Sequence, residues 1–138
     1  MWPLDHVGIA VRSIDEALLE YRNNFGFALD SREEVRSQGV EVAFIKLPNT
    51  LIELLAPLHE ESTLAKFIQK RGPGLHHLCY RVDDIEHELA RLLAAGVHLI
   101  DKIPRSGAHR TRIAFLHPKS TGGVLTELCE HPQQHEKR

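Results

Sequence analysis

The stretch Gly74-Leu75-His76-His77-Leu78-Cys79-Tyr80-Arg81-Val82 holds the side chains best suited to chemistry. A Gly-Pro-Gly break precedes a run of mostly β-prone residues, so a strand should begin there. Successive side chains on a strand point to opposite faces, so one of His76 and His77 faces the core and the other faces away. An inward imidazole needs a partner, either a hydrogen bond or a metal ion. A lone buried histidine is more often hydrogen-bonded than metal-bound, so this stretch does not decide the matter by itself.

The same pattern occurs earlier in the chain. Asp5-His6-Val7-Gly8-Ile9-Ala10-Val11 leads into Ser13-Ile14-Asp15-Glu16-Ala17-Leu18-Leu19, as His76-His77-Leu78-Cys79-Tyr80-Arg81-Val82 leads into Asp84-Ile85-Glu86-His87-Glu88-Leu89. When His6 is set on His77, Val11 meets Val82, Ile14 meets Ile85, Leu18 meets Leu89, and Ala43-Phe44 meets Ala114-Phe115. Each half then turns at a proline, Pro48 or Pro118, and closes on Leu-x-Glu-Leu: Leu51-Ile52-Glu53-Leu54 and Leu125-Thr126-Glu127-Leu128. The repeat of about 70 residues is too long for a solenoid unit and marks an internal duplication.

The elements that position these residues follow from local signals. A strand is expected over 4–11. Ser13-x-x-Glu16 is a capping box that opens a helix ending at Gly26. Weak strand character at 27–34, a turn at Ser37-Gln38-Gly39, a strong strand at Val40–Ile45 and a strand at Leu51–Leu55 complete a βαβββ unit. A joint over 57–73 carries a short helix capped by Ser62. The second half repeats the order: strand 75–82, a helix over 84–95 capped by Asp83 or Asp84, then strands at 97–102, 111–116 and 123–129. Neither half can bury its sheet alone, so the expected fold is α+β, with two βαβββ modules forming one curved, cup-shaped mixed sheet. The expected layout is a single domain over 1–130, with module one at 4–56, the joint at 57–73 and module two at 74–130, followed by a polar tail at 131–138. His87, His131 and His135 lie in polar segments and read as solvated surface.

Composition narrows the function. The 138 residues fit one domain, and 42% apolar content supports a sizeable core. Net charge is −2 with a pI near 6.5 and no basic stripe, so nucleic acid is not expected as a partner. No apolar run approaches membrane length, so no membrane partner is expected either. Asp5 and His6 fall where a signal peptide would need its apolar segment, so no export signal is expected. Two cysteines, Cys79 and Cys129, do not make a disulfide framework, and the expected location is cytoplasmic.

Pseudo-twofold pairing of the halves would place His6, Glu53, His77 and Glu127 at equivalent positions in one concavity. His6 shares its phase with Gly8 and Ala10, which would leave room there, while His77 and Glu127 share theirs with Cys79 and Cys129. Two imidazoles and two carboxylates suit a divalent transition ion such as Co²⁺, Mn²⁺, Ni²⁺, Zn²⁺ or Fe²⁺. The bland alternative for each glutamate is a surface position on a strand with one wet face. Cys79 and Cys129 read as small packing residues.

The chain also resembles a known family. Asp5-His6-Val7-Gly8-Ile9-Ala10-Val11, Ile52-Glu53-Leu54-Leu55-Ala56-Pro57, Gly74-Leu75-His76-His77, Gly107-Ala108-His109 and Phe115-Leu116-His117-Pro118-Lys119-Ser120-Thr121-Gly122-Gly123-Val124-Leu125 are similar to stretches of the vicinal oxygen chelate (glyoxalase/bleomycin resistance/dioxygenase) superfamily, and within it to the methylmalonyl-CoA epimerases. The resemblance spans residues 5–130. It implies a metal-dependent racemase/epimerase of an acyl-CoA substrate, with His77 rather than His76 as ligand. The implied metal ligands are His6, Glu53, His77 and Glu127, and the ion would be Co, Mn, Zn or Ni. Glu53 and Glu127 would act as the two bases that remove and return the C2 proton of (R)- and (S)-methylmalonyl-CoA. Lys119 and Ser120 are candidate coenzyme A contacts, the alternative being a hairpin turn with an exposed lysine. A homodimer is expected, because open sheet edges are usually covered and relatives commonly pair.

The chain departs from the family pattern in two places. A glutamate that some epimerases use as a base is Val42 here, and neighbouring Glu41 should face the other way. The usual glycine after Gly-Ala-His is Arg110, which should alter the loop without touching a proposed ligand. The competing readings are a glyoxalase I-type enzyme acting on a glutathione hemithioacetal, an iron dioxygenase and a non-catalytic small-molecule-binding resistance protein. The fourth ligand argues against the dioxygenase, which needs open positions.

Overall fold

A computed structural model describes residues 1–132. The chain divides into two compact units, His6–His76 and Met1–Asp5 together with the chain from His77 onward. Among the described residues, eight strands and three α-helices follow in the order β1 (Leu4–Ala10), α1 (Ile14–Phe25), β2 (Leu29–Val35), β3 (Val40–Lys46), β4 (Leu51–Pro57), α2 (Thr63–Arg71), β5 (Gly74–Arg81), α3 (Ile85–Ala94), β6 (Arg105–Ser106), β7 (Arg112–Leu116) and β8 (Thr126–Glu130).

In the first unit the strand order is β2-β3-β4-β1. β2 and β4 flank β3 antiparallel, while β1 joins β4 in parallel. α1 begins where expected: Glu16 N–H donates to Ser13 Oγ at 3.2 Å, and Gly26 ends the helix at φ 72°, a conformation that costs glycine little. The helix buries Ile14 and Ala17 against Ala43, Ile45, Leu54 and Ala56. α1 therefore covers one face of the sheet. Glu41 lies on that side too, where Arg32 donates to both Glu41 (2.8 Å) and Asp15 (2.7 Å). This agrees with the expectation that Glu41 faces away from Val42. In the joint, Ser62 Oγ accepts from Ala65 N–H at 3.1 Å and starts α2.

The second unit repeats the arrangement as β5-β8-β7-β6. β5 and β8 are parallel, and β7 runs antiparallel to both β8 and β6. Asp84, not Asp83, caps α3, its Oδ1 accepting from His87 N–H at 3.1 Å. Ile85 and Leu89 pack on Val82, Leu99, Ala114, Leu116 and Leu128, the counterpart of the α1 core. A second support was not visible in the sequence. Glu130 is 1% exposed, and its Oε1 accepts from Ile85 N–H at 3.0 Å, at the positive end of α3.

The strand expected at 97–102 does not form. Leu99 makes a single bridge to Leu116, and the amides of Ile100 and Asp101 both donate to Phe115 O, at 2.9 and 3.1 Å. The Asp101 side chain takes the Phe115 amide at 2.9 Å. A side chain thus occupies the ladder position that a strand partner would have used. The edge is instead the two-residue β6. His131 is also not solvated surface: it is half-buried, with Nε2 2.7 Å from Asp5 Oδ1. His135 and the rest of the expected tail beyond residue 132 lie outside the described residues.

Candidate metal centre

The strand registers of the two units carry the site residues to equivalent places. In the first unit, parallel pairing sets His6 opposite Leu51 and Gly8 opposite Glu53. In the second, Cys79 sits opposite Glu127, so His77 precedes its glutamate's partner by two residues as His6 does. Phe44 lies opposite Glu53 and Phe115 opposite Glu127. Alternation then brings a histidine, a phenylalanine and a glutamate to the sheet face away from the helix, once in each unit.

The side chains meet accordingly. His6 Nε2 is 3.4 Å from Glu53 Oε1, and the His6 ring meets Phe44 edge-on with centroids 6.0 Å apart. His77 Nε2 is 3.2 Å from Glu127 Oε1, and its ring meets Phe115 edge-on at 5.6 Å. All four polar residues are buried, with exposures of 6% (His6), 7% (Glu53), 3% (His77) and 5% (Glu127). The reading of these glutamates as wet-face residues is therefore replaced by burial. His76 points away from His77 and packs edge-on against Phe67 of α2 at 4.8 Å.

Within each unit the imidazole and the carboxylate are spaced as ligands of a divalent ion would be. Neighbouring nitrogen and oxygen ligands about 2.0–2.2 Å from a metal are roughly 3–3.5 Å apart, and the two imidazole–carboxylate spacings fall in that range. The donors are imidazole and carboxylate, which suit Co²⁺, Mn²⁺, Ni²⁺ and Zn²⁺ better than Cu⁺. Such buried polar groups need a partner of this kind, a proton or a cation.

The remaining candidates are placed as follows. Lys119 and Ser120 lie exposed in a single 3-10 turn, Pro118–Ser120. The Lys119 amide donates to His117 Nδ1 at 3.1 Å, and Ser120 Oγ accepts from the His98 amide at 2.9 Å. Ser120 thus holds the turn, and the lysine side chain extends from it. Cys79 and Cys129 are free and buried, and burial pushes the Cys79 thiol up from its ordinary pKa. Arg110 adopts φ 58° and His109 φ 56°. Both residues thus hold a left-handed conformation that glycine favours. Gly107 in the same loop has no room for a side chain: a Cβ there would fall 2.6 Å from Thr111 Oγ1 and 2.8 Å from Ile113 Cγ2.

Sequence reasoning missed Phe44 and Phe115 as walls of the two pairs, although their place in the repeat was visible. It also missed the partnership of Asp5 with His131, which no local motif announces.

The Glyoxalase/Bleomycin resistance protein/Dioxygenase superfamily pattern matches residues 5–115. The ethylmalonyl-CoA/methylmalonyl-CoA epimerase of Cereibacter sphaeroides is 44% identical over 127 residues, covering 91% of this chain and 95% of its own. The mitochondrial methylmalonyl-CoA epimerase of Dictyostelium discoideum is 43% identical over 128 residues, covering 92% of this chain and 77% of its own. A solved methylmalonyl-CoA epimerase in complex with methylmalonyl-CoA and NH4+ matches with a TM-score of 0.91 at 34% identity, covering 96% of each chain. The chain belongs to the Glyoxalase/Bleomycin resistance protein/Dioxygenase superfamily. Its similarity within that superfamily runs to methylmalonyl-CoA epimerases across nearly its whole length.

Proposed function

We propose that the protein is an epimerase that interconverts (R)- and (S)-methylmalonyl-CoA. The observation that carries this reading is the buried imidazole–carboxylate pair that recurs in the same strand register in both units. His6, Glu53, His77 and Glu127 are the proposed ligand set for one divalent ion: Co, Mn, Zn or Ni. When bound, that ion supplies Lewis acidity toward the thioester and carboxylate oxygens of the substrate.

The chain's own residues then move the proton. C2 of the substrate bears a hydrogen between a thioester carbonyl and a carboxylate. One glutamate takes that proton as the C2–H electron pair delocalises into the flanking carbonyl. The other glutamate delivers a proton to the opposite face, and C2 is inverted. Glu53 and Glu127 are assigned these roles because they occupy equivalent positions of the duplication. Phe44 and Phe115 meet the two imidazoles edge-on and add an apolar wall to each pair. Lys119 and Ser120 are assigned to the coenzyme A moiety, Lys119 as a charge for a phosphate.

The working form is proposed to be a homodimer in the cytoplasm. The two unlinked thiols suit a reducing compartment, and among the described residues no helix is long and apolar enough to cross a membrane.

Metal analysis of the purified protein, followed by parallel incubation with (R)-methylmalonyl-CoA and with methylglyoxal plus glutathione, tests the assignment. The expected result is about one catalytic ion per chain and conversion of the CoA ester to a mixture of both isomers. Turnover of the hemithioacetal with no action on the CoA ester would replace the epimerase by a glyoxalase. Light scattering showing a monomer at micromolar concentration would overturn the dimer.

A further inference from the structure

We propose that Asp5, Cys129 and His131 form a second metal site, selective for Zn²⁺ or another thiophilic divalent cation and separate from the four residues assigned to the reaction. All three belong to the second unit. Asp5 lies near the start of β1, Cys129 near the end of β8, and His131 just beyond it. Backbone bonds fix this corner: Arg81 N–H donates to Pro3 O at 3.0 Å, and Val82 N–H donates to Cys129 O at 2.8 Å.

One donor atom from each of the three side chains lies within 4.8 Å of the other two. The shortest edge is the 2.7 Å contact of His131 Nε2 with Asp5 Oδ1. Cys129 forms the buried wall at 1% exposure, and the Asp5 and His131 side chains, 10% and 16% exposed, form the way in. Cys79 lies in the same buried cluster as Cys129.

Asp5 and the Cys129 thiol both contact the His131 imidazole, so the three donors already converge on one ring. Thiolate, imidazole and carboxylate are zinc's three protein donor types, and three of them leave a fourth position open. In a tetrahedral zinc shell such donors are about 3.3–3.8 Å apart. The Asp5–His131 edge must therefore open by about 1 Å. Two of the three side chains are only half-buried and can make that move. Binding displaces the proton held between His131 and Asp5 and the proton of the Cys129 thiol, and both pass to solvent.

Cobalt distinguishes this site from the catalytic one, because His6, Glu53, His77 and Glu127 carry no sulfur. The full-length protein is stripped with chelator under reducing conditions and titrated with Co²⁺. The expected result is a near-ultraviolet sulfur-to-cobalt absorption and a total approaching two ions per chain, with Zn²⁺ bleaching the band. Cys129→Ser should abolish the band and remove one ion. His131→Ala, a change at a partly exposed position, should weaken binding at that site at least tenfold. His77→Ala should lose the other ion and keep the band. Absence of the band at saturating Co²⁺ overturns the proposal, as does a band that survives in Cys129→Ser or is unaffected in His131→Ala. The readout does not depend on the epimerase assignment, so either can fail without the other.

Discussion

Glu53→Gln separates ligand from base at one of the two proposed proton carriers. The change keeps the side chain's shape and one oxygen that can face His6, but the amide cannot take a proton from carbon. Glu53 is 7% exposed, with its Oε1 3.4 Å from His6 Nε2, so the replacement fits a packed slot without a change of volume. A positioned general base contributes about 10²–10⁴ in rate, equivalent to roughly 3–5.5 kcal/mol of activation free energy. Epimerisation should fall by that factor in both directions, because inversion uses both carboxylates. Exchange should behave differently. The isomer whose C2 hydrogen faces Glu127 still loses its proton and regains one on the same face. In deuterated water it acquires deuterium at C2 without inverting, while the opposite isomer stays protiated. Proton NMR of each pure isomer, with metal content and thermal unfolding as controls, reads both quantities. Normal epimerisation by Glu53→Gln would refute the base assignment and leave Glu53 as a ligand only. Equal loss of exchange from both isomers, with metal retained, would refute the division of faces.

Three further outcomes follow from the structure. Arg110→Gly should raise stability by up to about 1 kcal/mol in urea unfolding, because a non-glycine residue in the left-handed region costs about that much and Arg110 sits at φ 58°. Glu130→Leu should lower the urea midpoint by the equivalent of about 1–3 kcal/mol, since it strips the acceptor from the buried Ile85 amide; a midpoint within error of wild type would count against that capping role. In metal-free protein, the hydrogen bond to Asp5 first and the contact with Cys129 second raise His131 from 6.5 to about 9. The folded state therefore holds its proton more tightly than the unfolded one, and the resulting stability is fully present below pH 6.5 and is lost as pH rises through about 9. Allowing for solvent screening of the ring, the loss should be about 1–2 kcal/mol, and His131→Ala should flatten that part of the stability profile.

The duplication made the fold readable. His6 with His77, Phe44 with Phe115 and the two Leu-x-Glu-Leu segments all recur in the sequence, and the registers of β1 with β4 and of β5 with β8 place them alike. Capping signals at Ser13, at Ser62 and at the Asp83-Asp84 pair marked the helix starts, because each is a local side chain to backbone contact. What stayed hidden depends on residues far apart in the chain. Residues 97–102 have strand-like composition, yet Asp101 takes the Phe115 amide and ends the pairing. His131 looked like solvated surface because its neighbours are polar; its partner Asp5 is at the other end of the chain. No local signal in the sequence marks Glu130, whose carboxylate is buried where it meets the α3 N-terminus. The left-handed backbone at Arg110 was hidden too, because arginine does not announce a conformation that glycine favours.

On the proposed mechanism, C2 proton transfer requires a divalent ion held by the two imidazole–carboxylate pairs. Chelator-stripped protein is incubated with (S)-methylmalonyl-CoA in deuterated water, and the incubation is repeated after addition of Co²⁺. No deuterium at C2 and no (R) isomer are expected before the addition, and both together after it, with neither appearing in His77→Ala under the same loading. Undiminished deuterium uptake by the stripped protein, or unchanged activity in His77→Ala, would contradict it.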